Sequence, residues 1–188
     1  MNDLQSLIRR VEQLEARAEI SELCSAYAIA CDEHDMRRLT SLFAPDAELD
    51  SPSKLLSAKG RDAIVQNYIK LFKIRGPGMH WTHDHFVHFD ANDSSRASGV
   101  VLSHAETCPG DQGSVAAMRY EDEYVRLDGR WVFRKRVLKF LYYTAVKDYA
   151  QILRGPIRVT TSGLNNPGDL PESSPGWQAF EREHRGKP

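Results

Sequence analysis

The fold is decided by residues 114–143, whose sequence is SVAAMRYEDEYVRLDGRWVFRKRVLKFLYY. The stretch is rich in β-branched and aromatic residues, which favour strands, and Asp128-Gly129 divides it near the middle. This dipeptide favours a type I′ turn, because both of its residues tolerate positive φ. The sequence therefore predicts a β-hairpin with long strands over Ser114–Leu127 and residues 130–143.

Two more strand patterns precede this hairpin, over residues 80–90 and 96–107. Gly76-Pro77-Gly78 comes before them and is expected to end the helical part of the chain. Together, the four strand patterns predict a meander of antiparallel strands.

The chain before residue 76 follows a helical pattern instead. A long amphipathic helix is predicted from Asp3, with Arg17 as the candidate for a break. A short second helix is predicted after the N-cap Asp35, reaching Phe43, and a third over residues 62–72. Helices first and strands afterwards predict an α+β domain, in which a curved antiparallel sheet carries helices on one face and encloses a cavity.

The length of 188 residues and the hydrophobic fraction of 41% suit one buried core, which we assign to residues 1–150. Residues 151–188 contain many turn-forming residues and are predicted to form an irregular C-terminal extension. Trp177 and Phe180 are candidate anchors of this extension, on the domain or on an oligomer partner.

Charge and composition exclude several classes of function. The 25 basic and 26 acidic side chains nearly balance, so no broad positive field for nucleic acid is present. The one basic run, at residues 134–136, is predicted to form a solvated strand face.

No apolar run approaches the ~20 residues that cross a bilayer, and no signal peptide is recognisable. The three cysteines lack CxxC spacing, so neither a disulfide framework nor a zinc site is indicated. We expect a soluble, cytoplasmic protein.

Several short motifs occur in a fixed order between residues 10 and 145. They are residues 20–27 (ISELCSAY), Asp32, Asp35, Leu39, Leu42 and Phe43, Asp46 and Ala47, Gly60, Met79 and His80, Ala97, residues 120–124 (YEDEY) and residues 128–131 (DGRW). In this order they resemble the SnoaL-like group of the NTF2-like superfamily. The resemblance implies a cone-shaped sheet whose N-terminal helices enclose a small-molecule pocket.

Within this group the sequence is most similar to scytalone dehydratase and the bacterial hydroxysteroid dehydratases. That resemblance implies that Tyr27, Asp32 and His80 are catalytic. The steroid dehydratases carry a further aspartate on the following strand, where this chain has Leu102-Ser103-His104-Ala105-Glu106, so His104 is the candidate replacement. A cofactor-independent dehydratase acting on a hydrophobic, polycyclic hydroxylated substrate, such as a hydroxysteroid or polyketide, is implied. The group also suggests a homo-oligomer, either a trimer or a dimer.

These residue types suit the elimination of water. An imidazole can remove a proton from carbon and then return it to a departing hydroxyl, because both of its protonation states are accessible near neutral pH. A carboxylate would orient the imidazole and stabilise its charged form, and a tyrosine hydroxyl could donate to a substrate carbonyl. We therefore predict that Asp32 hydrogen-bonds to His80 inside the cavity.

Four histidines close in sequence also raise the question of a metal site. In a regular strand His83 and His85 would share one face, and His80 and His88 the other. Two ligands on each face are fewer than a catalytic zinc needs, so no metal is expected.

Other hypotheses stay open at this point. The same histidine and aspartate could serve an isomerase or cyclase, and the fold could be a non-catalytic module that binds a small molecule. Tyr27 could be an ordinary core residue, and His104 an ordinary strand histidine. Burial of Tyr27, Asp32 and His80 around one cavity would favour an enzyme.

Overall fold

The computed structural model of the protein describes residues 3–53 and 56–185. The larger elements, in chain order, are α1 (Asp3–Asp32), α2 (Met36–Ser41), β1 (Phe43–Asp50), β2 (Ala58–Lys59), α3 (Arg61–Ile74), β3 (Arg75–Phe89), β4 (Arg96–Pro109), β5 (Ser114–Leu127) and β6 (Arg130–Ala145). A 3-10 helix (Val146–Arg154), β7 (Ile157–Val159), a 3-10 turn (Thr161–Gly163), β8 (Asn166–Pro167), α4 (Pro175–Phe180) and one π-helical turn (Glu181–Arg185) follow.

The sheet has the strand order β2-β1-β6-β5-β4-β3, and β7 pairs with β6 and with β8. Strands β3 to β6 form the predicted antiparallel meander, while β1 and β7 run parallel to β6. The buried residues of α1 and α3 cluster with the buried residues of the strands in one main core. The α+β prediction, with N-terminal helices on a curved sheet, is confirmed.

Helix α1 has two different halves. From Ala16 onward it buries a stripe of residues at helical spacing against the sheet. Before Ala16 every described residue of the helix is exposed. The break predicted near Arg17 is wrong, because the helix is continuous and Arg17 Nη1 donates to the carbonyl oxygen of Val87 at 2.9 Å.

The second helix ends earlier than predicted. Asp35 is its N-cap, and its Oδ1 accepts a hydrogen bond from the backbone nitrogen of Arg38 at 2.9 Å. The helix stops at Ser41, and Phe43 begins β1, a strand that the sequence pattern did not reveal. Pro45 disfavours helical geometry at the residue before it, and the buried ring of Phe43 packs 5.4 Å from that of Phe133.

Gly76-Pro77-Gly78 follows the end of α3 at Ile74, as predicted, and lies inside β3, which begins at Arg75. This strand is at the edge of the sheet, where the missing N–H of proline costs few ladder hydrogen bonds. The hairpin prediction is confirmed at the turn, where Asp128 has φ 49° and Gly129 has φ 79°.

The C-terminal extension is more regular than predicted, because it supplies β7 and β8 to the sheet. Arg158 connects this extension to the sheet. Its Nε donates to the carbonyl oxygen of Leu141 at 2.9 Å. Its Nη1 donates to Glu172 at 2.7 Å, and its Nη2 donates to the carbonyl oxygen of Leu170 at 2.7 Å. Trp177 and Phe180, the predicted anchors, are 36% and 52% exposed in the single chain. Within residues 3–53 and 56–185, no helix has both the length and the apolar character to span a membrane.

Candidate active site

A cavity lies between α1, α3 and the inner face of the sheet, and its empty space, including the open mouth, is about 780 Å³. Most of its wall is apolar, with Leu71, Met118, Leu138 and Phe140 among the contributors. Four tyrosines, His80 and Arg75 add polar groups, and no aspartate or glutamate of residues 3–53 and 56–185 is part of the wall. Such a site suits a hydrophobic ligand with a few polar groups.

His80 and Asp32 meet at the edge of this cavity. Asp32 is the last residue of α1, and its Oδ1 lies 2.6 Å from His80 Nδ1. Its Oδ2 accepts a second hydrogen bond, from the backbone nitrogen of His80, at 2.9 Å. The imidazole is 10% exposed and the carboxylate 26%. The predicted hydrogen bond is confirmed, while the catalytic roles of the two residues remain a prediction.

The geometry leaves one imidazole nitrogen for chemistry. Because Nδ1 faces the carboxylate, Nε2 is the nitrogen left for a ligand, and no other described residue forms a hydrogen bond to it. A neutral imidazole that donates from Nδ1 to the carboxylate has its lone pair on Nε2. His80 can therefore accept a proton from a molecule in the cavity.

Tyr27 also lines the cavity, and its hydroxyl forms a very short hydrogen bond with that of Tyr68 from α3. Burial raises the pKa of Tyr27 well above its usual value, and the nearby Tyr68 hydroxyl and Cys31 thiol raise it further. Both phenols therefore stay protonated near neutral pH. Two hydroxyls that share one hydrogen bond keep one O–H free to donate to a ligand.

Arg136 lies behind the tyrosines and corrects the prediction for the basic run at residues 134–136. It is not solvated but 1% exposed, with Nε 2.9 Å from Asp122 Oδ1 and Nη2 2.7 Å from Oδ2. Its guanidinium carbon is 4.2 Å from the centroid of the Tyr27 ring and 4.0 Å from that of Phe133. The buried alternation with Leu138 and Phe140 was the available sequence signal for its inward position.

The structure does not bring His104 to the cavity. His80 pairs with Ala105 across the β3–β4 ladder, so the preceding residue, His104, faces the other side of the sheet. There it is exposed, and its Nδ1 lies 2.8 Å from Nε2 of His83. The expectation that His104 replaces the missing aspartate at this site is therefore corrected by strand alternation.

The predicted sides of the other histidines are also wrong, because β3 contains a β-bulge. Thr82 pairs with Ser103 but His85 pairs with Val101, so β3 has one extra residue at this point. His85 consequently faces inward, where its Nε2 is 3.1 Å from the Tyr124 hydroxyl, while His83 faces outward. Burial lowers the pKa of His85. Within the described part of the chain, no group of three or more His, Cys, Asp or Glu residues is arranged to hold a metal ion.

Sequence reasoning missed two further members of the site, Tyr68 and Arg75, which both line the cavity. Tyr68 was visible only as part of the apolar stripe of α3. Arg75 was hidden because it comes directly before Gly76-Pro77-Gly78, the segment that was expected to end the helical part of the chain.

The chain is similar to known proteins in both sequence and fold. Residues 12–137 match the sequence model of a family described as a SnoaL-like domain. The gamma-hexachlorocyclohexane dehydrochlorinase of Sphingobium indicum is 29% identical over 136 residues, which are 71% of this chain and 86% of that protein. The solved structure of LinA superposes with a TM-score of 0.68 at 26% identity, covering 73% of this chain and 93% of that one. A Novosphingobium aromaticivorans protein with the provisional name scytalone dehydratase gives 0.66 at 21% identity, covering 72% and 91%.

Proposed function

Because this chain belongs to the SnoaL-like domain family, which includes dehydrochlorinases, we propose that it is a lyase in which His80 is the base of an elimination. The observation that carries the proposal is the hydrogen bond of 2.6 Å between His80 Nδ1 and Asp32 Oδ1 at the wall of an apolar cavity. An enclosed imidazole with a fixed orientation and a carboxylate behind it suits proton abstraction from carbon.

The reaction that we propose is the loss of water. His80 Nε2 takes a proton from the carbon beside a carbonyl, and the electrons of that C–H bond form an enolate. The enolate then re-forms the carbonyl, and its electrons form the new carbon–carbon double bond as the neighbouring C–O bond breaks. The departing hydroxyl takes a proton from the imidazolium, which regenerates the neutral base and releases water. Asp32 stabilises the imidazolium between these steps, and no cofactor or metal is required.

The tyrosine pair supports a substrate that contains oxygen. The free O–H of the pair formed by Tyr27 and Tyr68 could donate to a substrate carbonyl, and so stabilise the enolate that proton loss creates. The guanidinium of Arg136 packs against the Tyr27 ring, and its charge is balanced by Asp122. We therefore propose a hydrophobic, hydroxylated ring compound as the substrate. The steroid and polyketide substrates that the resemblance implied find no support in the comparisons.

Dehydrochlorination is the second candidate, and it is favoured by the names of the relatives. It uses the same base but expels chloride, which needs no proton from the enzyme. A chlorinated hydrocarbon has no carbonyl oxygen, so the hydroxyl pair of Tyr27 and Tyr68 would have no acceptor to which to donate. This difference is our reason for ranking dehydration first.

Product analysis in D₂O tests the proposal. The purified protein is incubated with cyclic β-hydroxyketones and, separately, with gamma-hexachlorocyclohexane, and the products are identified by mass spectrometry. We expect a product that is lighter than the hydroxyketone by one water. An isomerase or cyclase would give a product of the same composition with deuterium incorporated. Release of chloride alone would favour dehydrochlorination, and binding without any conversion would identify a non-catalytic module.

A further inference from the structure

The cavity contains a guanidinium without a counter-ion. Arg75 is the C-cap of α3 and the first residue of β3, and its side chain lines the cavity from this junction. Its Nε atom is buried and has no hydrogen-bond partner. No carboxylate within residues 3–53 and 56–185 forms an ion pair with it.

The two arginines that the described chain buries, Arg136 and Arg158, have carboxylates, whereas the half-buried Arg75 has none. Arg136 forms two hydrogen bonds with Asp122, at 2.9 and 2.7 Å, and Arg158 donates to Glu172 at 2.7 Å. Removing a charged group from water is costly unless an opposite charge and hydrogen bonds replace the solvent. Asp122 and Glu172 supply the opposite charge at Arg136 and Arg158, whereas the half-buried guanidinium of Arg75 has a buried Nε without a hydrogen-bond partner and no carboxylate beside it among the described residues.

The surroundings of Arg75 are suited to an anion from outside the chain. Among the described residues, the cavity wall has no acidic side chain and is mostly apolar, so a charge pair here would be poorly screened. Gly78 leaves room for the guanidinium, because a Cβ at that position would lie only 3.1 Å from Arg75 Nη2. The planar guanidinium fits a carboxylate through two parallel hydrogen bonds.

We propose that Arg75 binds a carboxylate of the substrate, and that the substrates of this cavity are hydrophobic carboxylic acids. The inference rests on the proposed function only in taking this cavity as the substrate site. Arg75 fixes the charged end of the molecule, the apolar wall holds its ring, and the reacting carbon lies towards His80.

Matched ligands test this proposal by binding alone. Benzoate is compared with benzyl alcohol, and 2-naphthoate with 2-naphthalenemethanol, by calorimetric titration at about pH 7.5, where carboxylates are ionised. We expect the wild-type protein to bind each carboxylate about tenfold or more tightly than its alcohol. In Arg75→Met this preference should disappear, while affinity for the alcohols changes by no more than about twofold.

Controls separate this result from a folding defect and from the proposed reaction. Arg37→Met removes an exposed arginine of α2 and should keep the preference, and circular dichroism should show that all variants are folded. Arg75→Lys should keep part of the preference, because lysine retains the charge but cannot form two parallel hydrogen bonds with a carboxylate. His80→Ala should keep all of it while losing turnover. Equal binding of carboxylates and alcohols by the wild type, or an unchanged preference in Arg75→Met, would overturn the proposal, whether or not elimination is observed.

A different observation concerns the exposed first half of α1. Five large apolar residues there are between 45% and 66% exposed, namely Leu4, Leu7, Ile8, Val11 and Leu14. Four of them follow the 3-4-3 spacing of a heptad repeat, with Leu4 and Val11 at position a and Leu7 and Leu14 at position d. A free helix of this length is marginal in water, so a partner for its apolar side would stabilise it.

The charges beside this apolar row favour a second copy of the chain. In the same heptad Arg10 is at position g and Glu15 at the following position e, which are the positions that face each other between parallel helices. Neither residue forms an ion pair within the described chain. We infer that the first halves of two α1 helices pair in parallel, with Arg10 of each copy beside Glu15 of the other.

Light scattering and sedimentation over a range of concentrations test this pairing. The wild type should associate, and the double change Leu7→Glu with Leu14→Glu should raise the dissociation constant about a hundredfold. Gln5→Glu with Gln13→Glu adds the same charge away from the apolar row and should leave association unchanged. Arg10→Glu should weaken association, and adding Glu15→Arg should restore it. A monomeric wild type, or an unchanged mass in the double leucine variant, would refute the pairing.

Discussion

Strand β3 carries two histidine contacts of nearly equal length on its opposite faces. On the inner face His80 Nδ1 lies 2.6 Å from a carboxylate oxygen of Asp32, and on the outer face His83 Nε2 lies 2.8 Å from Nδ1 of His104. The inner imidazole is nearly enclosed, whereas both outer ones are exposed. The partners differ as well, because a carboxylate stabilises a protonated imidazole and a second imidazole repels it. Distance alone therefore does not identify a catalytic histidine; the partner and the enclosure do.

Removal of the inner histidine should have the largest effect. His80→Ala is expected to lower the elimination rate by about 10²–10⁴, because the proton acceptor is lost. The melting temperature should change little, since the side chain lines a cavity and makes one side-chain hydrogen bond. His104→Ala is the matched control and should keep turnover within about twofold of the wild type. Equal losses in the two variants would mean that the faces do not differ in function.

Removal of the inner charge should have the next largest effect. Asp32→Asn keeps the size of the side chain but cannot stabilise an imidazolium, so we expect a loss of about 10–100-fold in kcat, with a smaller change in KM. Steady-state kinetics would measure this difference, with the compound that the product analysis shows to be converted. Full activity in Asp32→Asn would mean that Asp32 has a structural role only. Its hydrogen bond to the backbone nitrogen of His80, which joins the end of α1 to β3, would then be its main contribution.

Replacement of His104, in the outer pair, should have the smallest effect, and only the stability of the protein should change. Partial burial and the charge of His83 lower the pKa of His104. The folded state therefore binds a proton here less readily than the unfolded state does, so the contribution to stability is present above the unfolded pKa of about 6.5 and is lost as the pH falls through the folded value. Because His104 is exposed, we expect its replacement by glutamine to reduce the acid-induced fall in melting temperature by only about one or two degrees. A thermal melt series from neutral to mildly acidic pH, with a steeper fall in His104→Gln than in the wild type, would contradict this account.

The difference between the two faces also explains what the sequence could predict. Local signals were sufficient for the β5–β6 hairpin and the Asp35 cap, because a turn or cap is specified by adjacent residues. The pair of Asp32 and His80 came from a resemblance, since no local pattern brings together residues 48 positions apart. Strand alternation then misassigned His85, because a β-bulge leaves no clear mark in a single sequence.

The remaining misses have different causes. β1 pairs with β6, which brings together distant parts of the chain. Arg136 faces the buried carboxylate of Asp122 across the predicted β5–β6 hairpin, but a shift in strand register between Glu123 and Tyr124 sets this pairing. Arg75 was missed because no carboxylate among the described residues pairs with it.

The bulge in β3 also affects how this region can change length during evolution. Between the pairs His80–Ala105 and His85–Val101, β3 has one residue more than β4 requires. Loss of any one of the four residues from Trp81 to Asp84 could be accommodated by straightening the strand, with His80 and His85 still facing inward. Between His85 and Phe89 the pairing is regular, so a deletion there would move the side chains on one side of it to the opposite face of the sheet. Homologues with a functional cavity should therefore tolerate a one-residue gap between His80 and His85 and none between His85 and Phe89.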